Sequence, residues 1–256
     1  VLKKKMFETK LNLKDNGLIT HISEYLDKDE ASRLYDELKL NGSGHINWNL
    51  DVIVVGKRKV KEPRYTAFLG SHDGLSYTYS AKKNIAQAWT PEMKKLVAKL
   101  NSFLPKIDKN FINMSLNVCL MNLYIDGNQH VGWHSDALDG LVPGSPIVTI
   151  SLGATRLFQL RHKDDSNMAT QVENIRIAIK QGKKKLEDLT EEESFIYNYK
   201  VGSLKELNHR IDLKNGDFLA MYGDLQEYWR HRVPREKEAG TRIVLTFRCV
   251  EDDRIL

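Results

Sequence analysis

Two stretches in the first half of the chain, residues 28–40 and 91–104, have apolar residues at the spacing of an amphipathic helix. The apolar positions are Ala31, Leu34, Tyr35 and Leu38 in the first stretch and Met93, Leu96, Val97 and Leu100 in the second. Asp27 and Thr90 precede them as candidate N-caps, and Pro91 suits a first helical turn. Both stretches are therefore predicted to be helices with one face on a core.

The second half of the chain changes to short apolar and β-branched runs separated by Gly, Asn, Asp and Pro, a pattern typical of strands. The predicted strands are residues 116–124, 129–134, 146–152, 155–162, 216–222, 228–234 and 241–250. Many short strands beside few helices favour a mainly β, α+β fold of the sandwich or jelly-roll type. Residues 163–212 interrupt the series with runs of like charge, so we expect an exposed polar insertion there.

Composition limits the class of protein. The chain has 256 residues, enough for one compact domain, with residues 1–110 as a helical flank and residues 111–256 as a β-rich core. No apolar run approaches the ~18 residues of a membrane helix, so we expect no membrane association. Two cysteines, Cys119 and Cys249, make no disulfide framework and suit a reducing compartment, either nucleus or cytoplasm.

Positive charge is concentrated near the N-terminus. Residues 1–110 contain 20 Lys and Arg against 13 Asp and Glu, whereas the rest of the chain contains 19 against 21. The densest run lies between Lys57 and Arg64. A basic half is consistent with a nucleic-acid partner, although a solvated surface explains the same charge.

Three residues could form a metal site. His134 and Asp136 are two positions apart, so on a strand both side chains project from one face. His231 in a later predicted strand would complete a set of two histidines and one carboxylate, which leaves open positions on a metal. A second such pair, His162 and Asp164, lies at the edge of the insertion, and we expect no role for it.

Two arginines near the C-terminus could form an anion site. Arg242 and Arg248 are six residues apart, so both would lie on one face of a strand and could clamp a dicarboxylate. The alternative is a pair of exposed arginines on an edge strand, matched with Glu236 or Glu238.

These residues, taken in order, resemble the AlkB family of Fe(II)- and 2-oxoglutarate-dependent dioxygenases, and most closely the animal homologues that repair alkylated DNA and RNA. The resemblance covers roughly residues 20–250. The matching segments are Pro63-Arg64, Leu75–Ser80, Asn122-Leu123-Tyr124, Trp133–Asp136, Pro146-Ile147, Leu152–Phe158, His231–Pro234 and Arg242…Thr246-Phe247-Arg248.

The resemblance implies a double-stranded β-helix, a jelly roll, with an N-terminal nucleotide-recognition lid near residues 50–83. It implies Fe(II) ligation by His134, Asp136 and His231. By the same resemblance the 2-oxoglutarate contacts are Asn122, Tyr124, Arg242 and Arg248; the base contacts are Tyr77, Tyr79, Trp133 and Arg156; and the backbone or hairpin contacts are Val54, Val55, Gly56, Lys57, Arg58, Lys59 and Arg64.

The implied activity is oxidative demethylation of bases such as 1-methyladenine and 3-methylcytosine in DNA or RNA. It would use Fe(II), O2 and 2-oxoglutarate and release formaldehyde and succinate, and we expect a monomer. Alternatives are a regulatory RNA demethylase acting on N6-methyladenine, a protein that only binds nucleic acid, and an oxygenase with another substrate. The sequence departs from the family pattern at Ala137, Leu138, Val55 and Val244 and in the long insertion.

Overall fold

The computed structural model describes residues 7–55, 58–79 and 82–251, with the side chains of residues 53–60 and 77–83 outside the description. The strands are β1 (Phe7–Asn12), β2 (Gly17–Ser23), β3 (Val52–Val55), β4 (Arg58–Lys61), β5 (Tyr65–Gly70), β6 (Ser76–Tyr79), β7 (Lys82–Ile85), β8 (Gln87–Ala88), β9 (Val118–Tyr124), β10 (Val131–His134), β11 (Ile147–Gly153), β12 (Arg156–His162), β13 (Asn208–Leu213), β14 (Phe218–Gly223), β15 (Trp229–Val233) and β16 (Arg242–Arg248). The helices are α1 (Lys28–Leu38), α2 (Pro91–Ile107), α3 (Lys163–Lys180), α4 (Glu191–Asn198) and α5 (Leu225–Tyr228).

A large sheet forms the frame of the molecule. Its strand order is β1-β2-β14-β11-β16-β9-β5-β8, and a second sheet has the order β10-β15-β12-β13. Along β9, Cys119, Met121 and Leu123 pack in one hydrophobic cluster, while Leu120 and Tyr124 pack in another. Alternation along a strand therefore divides the core into a helix-facing layer and a layer between the two sheets.

The helix-facing layer is covered by α1 and α2. A capping box formed by Asp27 and Glu30 begins α1, and the Thr90 side chain caps α2 just before a proline in its first turn. Both predicted helices are confirmed, with small differences at their C-termini. The second helix continues past Pro105 to Ile107, and its buried apolar stripe includes Leu104 and Ile107.

The strands predicted in the second half are all present, and each end lies within two residues of its predicted position. The first half contains more β structure than a helical flank, which corrects the prediction for residues 1–110. Strands β1, β2, β5 and β8 belong to the large sheet, and β3–β4 and β6–β7 form two separate hairpin-like pairs. Strand β1 is mostly exposed, so it has no clear apolar alternation for sequence analysis to detect.

The insertion is folded rather than a purely solvated excursion. It forms α3 and α4, and β13 begins at Asn208 inside the range predicted as insertion. Asp165 at the start of α3 is fully buried and accepts hydrogen bonds from the Tyr199 hydroxyl and the Gly202 backbone N–H, at 2.7 and 3.1 Å. Arg161 on β12 lies 3.1 Å from the same carboxylate. These contacts attach the insertion to the smaller sheet.

In the described part of the chain, no helix combines the length and the apolar character needed to cross a bilayer.

Candidate metal and cosubstrate site

His134, Asp136 and His231 lie together between the two sheets. Strands β10 and β15 are antiparallel neighbours, and their register places His134 directly opposite His231. The two rings have centroids 4.3 Å apart, and one ligand atom from each of the three residues lies within 4.8 Å of the others. The spacing-based prediction of this cluster agrees with the structure, since residues far apart in sequence become cross-strand neighbours.

The segment after β10 is fixed by hydrogen bonds. The Ser135 hydroxyl donates to the Trp229 carbonyl at 2.7 Å, and the Asp136 backbone N–H donates to the Gln226 side chain at 2.9 Å. His134 Nδ1 lies 2.9 Å from the Gly132 carbonyl, which can only accept, so Nδ1 carries the proton. Nε2 is the ring nitrogen left for a ligand, and it lies 3.8 Å from Asp136 Oδ1. Such orientation by an outer hydrogen bond is typical of metal-binding histidines.

The charges of the cluster also suit a cation. Burial, with a smaller contribution from His134, lowers the pKa of His231 to about 3, so its imidazole is neutral at neutral pH. Burial alone would raise the pKa of Asp136. Arg248 and the two histidines lower it by more than burial raises it, so the pKa of Asp136 is below its ordinary value. A neutral imidazole and an ionised carboxylate are the forms that ligate metal. Among the described residues, Asp136 Oδ2 and His231 Nδ1 are buried without a hydrogen-bond partner.

Arg242 and Arg248 lie on one face of β16, which is a central strand between β11 and β9. Both are buried, so the alternative of exposed edge-strand arginines is wrong. The Arg242 Nε donates to the Ser151 hydroxyl at 3.0 Å, and within the described chain its buried NH1 has no partner. Burial lowers the pKa of Arg242 to about 10, which still leaves it charged at neutral pH. Arg248 NH2 lies 3.1 Å from Asp136 Oδ1 and connects the anion site to the metal cluster.

A single small cavity of about 50 Å³ joins these groups. Its lining includes the predicted metal and cosubstrate residues, which are Asn122, Tyr124, His134, Asp136, His231, Arg242 and Arg248. Buried polar atoms with unmet hydrogen-bonding capacity are rare in folded proteins, so several around one cavity indicate a ligand. The donor set fits a divalent metal beside a carboxylate-bearing molecule.

Comparison with known proteins agrees with this arrangement. The family model described as 2OG-Fe(II) oxygenase superfamily matches residues 18–248. DNA oxidative demethylase ALKBH2 from Arabidopsis thaliana is 28% identical over 91% of this chain, and its human counterpart is 27% identical over 93%. The alkB homolog 3 dioxygenase from Mus musculus is 32% identical over 75% of this chain.

This chain is an AlkB-family member of the 2OG-Fe(II) oxygenase superfamily. It spans 66% of the Arabidopsis relative, 76% of the human relative and 53% of the mouse relative. Among solved structures, OsALKBH1 aligns with 94% of the chain at 18% identity and a TM-score of 0.47. Membership brings Fe(II), 2-oxoglutarate and O2 as cofactors, and the residues around the cavity fit the first two.

Arg64 does not occupy the surface position that was predicted for it as a contact to the nucleic-acid backbone. It is 7% exposed and lines the small cavity, so it does not lie along a phosphate path on the surface. Its Nε donates to Asn122 Oδ1 at 2.7 Å, and its NH2 lies 3.5 Å from Glu62. Because Asn122 Oδ1 accepts from Arg64, the Asn122 amide NH2 is the end available to a ligand. The strand partners of Asn122 are Val244 and Thr66, and Val244 offers it no side-chain hydrogen bond.

Arg156 does not line the small cavity, so its predicted contact with a base there does not fit the structure. Its side chain is fully buried and its Nε pairs with Glu236 at 2.7 Å. Its two terminal nitrogens donate to the backbone carbonyls of Asp126, Gln129 and Pro234 at 3.3, 2.9 and 2.6 Å. All its nitrogens are thus engaged in holding two loops together. The motif resemblance could not reveal this, because the loops are distant in sequence.

Trp133 also differs from the prediction. It precedes His134 on β10 and does not line the cavity that His134 lines. Its ring lies 4.5 Å from the guanidinium carbons of both Arg161 and Arg232, on the outer side of the smaller sheet. A base contact near the metal therefore does not fit Trp133, because alternate strand residues face opposite sides.

The remaining residues predicted for the lid lie either on the two hairpin-like pairs of strands or outside the described residues. Val54 and Val55 end β3, Arg58 and Lys59 begin β4, and Tyr77 and Tyr79 lie on β6. The side chains of these six residues are outside the description, as are Gly56 and Lys57 altogether. Their roles stay predictions.

A larger cavity of about 450 Å³ is lined by residues of β5, β7, β8 and β9. Its lining includes Asn49, Asp73 and Gln87, and Leu120 lines both this cavity and the metal cavity. Sequence analysis missed these residues, since isolated Asn, Asp and Gln in loops carry no spacing signal. A cavity of this volume is within the range of small-molecule sites.

The second histidine–carboxylate pair has a structural role, which corrects the expectation of none. His162 ends β12 and caps α3 by accepting the Asp164 backbone N–H at Nδ1. Its Nε2 therefore carries the proton, and it donates to Asp15 at 2.8 Å. Asp15, His162 and Asp164 have the spacing of a metal cluster. Both imidazole nitrogens are already engaged, however, and Lys14 Nζ lies 2.6 Å from Asp164, so this cluster connects elements.

Proposed function

We propose that this chain oxidatively removes alkyl groups from base nitrogens in DNA or RNA, with 1-methyladenine and 3-methylcytosine as the substrate type. The observation that carries the proposal is one cavity lined by a neutral histidine, an ionised aspartate and buried arginines. The names of the relatives, DNA oxidative demethylases among them, support nucleic acid as the substrate class.

His134 Nε2, Asp136 and His231 would hold Fe(II). When bound, Fe(II) with O2 and 2-oxoglutarate supplies the oxidising chemistry of the family, and succinate and formaldehyde leave as products. The chain contributes the protonation states: burial keeps His231 neutral, and Arg248 keeps Asp136 ionised. The hydrogen bond to Gly132 directs His134 Nε2 into the cavity.

The arginines and Asn122 would hold 2-oxoglutarate. Arg242 offers a buried NH1 that has no partner among the described residues, and a carboxylate is the natural acceptor for it. Tyr124 lies beside Arg242 in the strand register and lines the same cavity. The Asn122 amide NH2, fixed in direction by Arg64, would donate to the same molecule.

The larger cavity would receive the target nucleotide. Its polar lining, including Asn49, Asp73 and Gln87, suits the polar edge of a base. Leu120 lines both cavities, so the larger cavity lies next to the metal cavity. A base must leave its stack to enter such a cavity, which costs a few kcal/mol and is easiest for lesions that already disrupt pairing.

The test is mass spectrometry of oligonucleotides that carry 1-methyladenine, 3-methylcytosine or N6-methyladenine in single-stranded DNA, duplex DNA and RNA. Protein, Fe(II) and 2-oxoglutarate are mixed without oxygen and then exposed to air. Loss of one methyl group from 1-methyladenine or 3-methylcytosine supports the proposal. Loss from N6-methyladenine in RNA alone would replace it with the regulatory alternative. No loss from any oligonucleotide by iron-loaded protein would contradict it.

Metal binding provides a second readout that does not need turnover. His231→Ala should abolish tight Mn(II) or Fe(II) binding in anaerobic calorimetry, because two ligands rarely hold these ions. His45→Asn is a matched control, since His45 is exposed and lies outside the cluster. Equal affinity in His231→Ala and His45→Asn would show that the metal ligands are misassigned.

A further inference from the structure

Three arginines lie on the side of the smaller sheet that faces away from the metal cavity. Arg230 and Arg232 flank His231 on β15, and because strand residues alternate, both point away from the side that His231 faces. Arg210 on β13 is exposed and alternates with the partly buried Ile211. We name Arg210, Arg230 and Arg232 the outer arginine face.

The strand register brings these arginines into adjacent rows. Gln159 on β12 pairs with Arg232 on one side and with Arg210 on the other. In the next row, Arg161 pairs with Arg230. Neighbouring strands are about 4.8 Å apart, so the Cα atoms of Arg232 and Arg210 are separated by roughly 10 Å. The arginines therefore form one patch rather than isolated surface charges.

The charge of this patch is mainly positive, and the acidic residue of β13 on the same face is Asp212, two residues from Arg210. Arg161 is paired with Asp165, but no carboxylate of the described residues lies within 4.0 Å of Arg210, Arg230 or Arg232. Like charges opposite one another on a sheet are unfavourable without a counter-ion. An anionic partner would remove this repulsion.

The Arg232 side chain of this patch is also preorganised. The Arg232 Nε donates to Gln159 Oε1 at 2.6 Å, and its guanidinium carbon lies 4.5 Å from the Trp133 ring centre. Cation–π contact and a side-chain hydrogen bond limit the rotamers of Arg232. An arginine held in this way loses less entropy when it binds a phosphate, and its planar group suits bidentate contact.

We propose that the outer arginine face binds the phosphate backbone of the nucleic acid whose target base enters the larger cavity next to the metal cavity. The proposal rests on the proposed function for that substrate. Strand β10 is at the edge of the smaller sheet and carries His134 toward the cavity and Trp133 toward the arginines. A strand of nucleic acid that passes around this edge would contact the cavity and the outer arginine face together. An acidic protein bound to the outer arginine face would not need to contact the cavity as well, so nucleic acid is the better match.

The experiment compares binding of an unmodified 25-nucleotide single strand by wild-type protein and by Arg210→Glu/Arg230→Glu, using fluorescence anisotropy at several salt concentrations. Each phosphate contact contributes about 0.7 to the salt slope for single strands. Loss of two contacts should lower the slope by about 1.4 and weaken affinity by about 25-fold at 0.1 M salt. Binding of an unmodified strand does not require turnover, so the test stands even if demethylation is absent.

Arg33→Glu/Lys94→Glu is the matched control, because it makes the same change in net charge on the exposed surfaces of α1 and α2. It should weaken binding much less and leave the salt slope nearly unchanged. Equal losses in the two double variants would overturn the proposal, as would tighter wild-type binding to poly-glutamate than to the oligonucleotide. Arg210→Gln/Arg230→Gln gives the same comparison if thermal denaturation shows that charge reversal prevents folding.

Discussion

Replacement of Arg64 by methionine tests the reassignment of this residue from the surface to the cosubstrate pocket. Arg64 is 7% exposed, and its Nε donates to Asn122 Oδ1 at 2.7 Å. Methionine keeps much of the apolar volume of the arginine stem but removes the donor. Asn122 would then lose the contact that directs its amide NH2 toward the cavity. We expect weaker binding of 2-oxoglutarate and little change in binding of oligonucleotides.

The size of the effect follows from the contacts of Arg64. A hydrogen bond with one charged partner contributes about 1.5–3 kcal/mol when its loss leaves the other group buried. If half to all of that energy is lost from cosubstrate binding, the affinity for 2-oxoglutarate falls by about 4-fold to 150-fold, at about 1.4 kcal/mol per factor of ten. Glu62 adds less, because its side chain lies 3.5 Å from the guanidinium and keeps some contact with solvent.

The assay is calorimetric titration of 2-oxoglutarate into the Mn(II) form under nitrogen, which separates binding from turnover. Arg33→Met is the control for loss of a positive charge, because Arg33 is exposed on α1. In steady-state kinetics, Arg64→Met should raise KM for 2-oxoglutarate more than it lowers kcat. Unchanged 2-oxoglutarate affinity together with weaker oligonucleotide binding would refute the reasoning and restore the phosphate-contact role.

Three further predictions concern stability. Arg156→Gln should lower the free energy of unfolding in urea by about 3 kcal/mol, because it removes the charge from a fully buried group that holds two loops; a change below 1 kcal/mol would mean that those loops are held elsewhere. Leu100→Ala, at a fully buried position of α2, should cost about 2–5 kcal/mol by the same measurement, whereas exposed Lys94→Ala should cost little. Burial raises the pKa of Asp217, but hydrogen bonds from His21 and two backbone N–H groups lower it below its ordinary value. Its stabilising contribution is therefore complete above about pH 4 and lost as the pH falls through the lower, folded pKa, and Asp217→Asn should flatten that fall in chemical denaturation.

The sequence was most informative where periodicity and cross-strand chemistry coincide. Strands β9 to β16 could be located because each is an apolar run bounded by turn residues, apart from β13, which was hidden in a range assigned to the insertion. The metal cluster could be predicted because His134 and Asp136 are close in sequence and the motif around His231 is specific. The even separation of Arg242 and Arg248 predicted that they share one face of a strand, and both line the small cavity.

Sequence reasoning was less successful where tertiary contacts decide a role. The family resemblance predicted Arg64 as a backbone contact and Arg156 as a base contact, yet each is buried against residues that are distant in sequence. The two helices of the insertion were missed because their charged surfaces conceal short apolar faces. Asp165 is buried in contact with Arg161, Tyr199 and Gly202, which are distant in sequence or in other elements. Neither kind of contact leaves a periodic signal along the chain.

Strand β15 links the candidate chemistry to the proposed nucleic-acid surface through its register. His231 faces the metal cavity, while Arg230 and Arg232 face the opposite side of the same sheet. A shift of one residue would exchange the two faces, placing arginines in the metal cavity and the imidazole outside. Pairing of His231 with both His134 and Leu160, together with the hydrogen bond from Arg232 to Gln159, holds the observed register. The same contacts that assemble the metal ligands therefore also determine which side of the sheet carries the outer arginine face, so a change in the register of β15 would alter both surfaces.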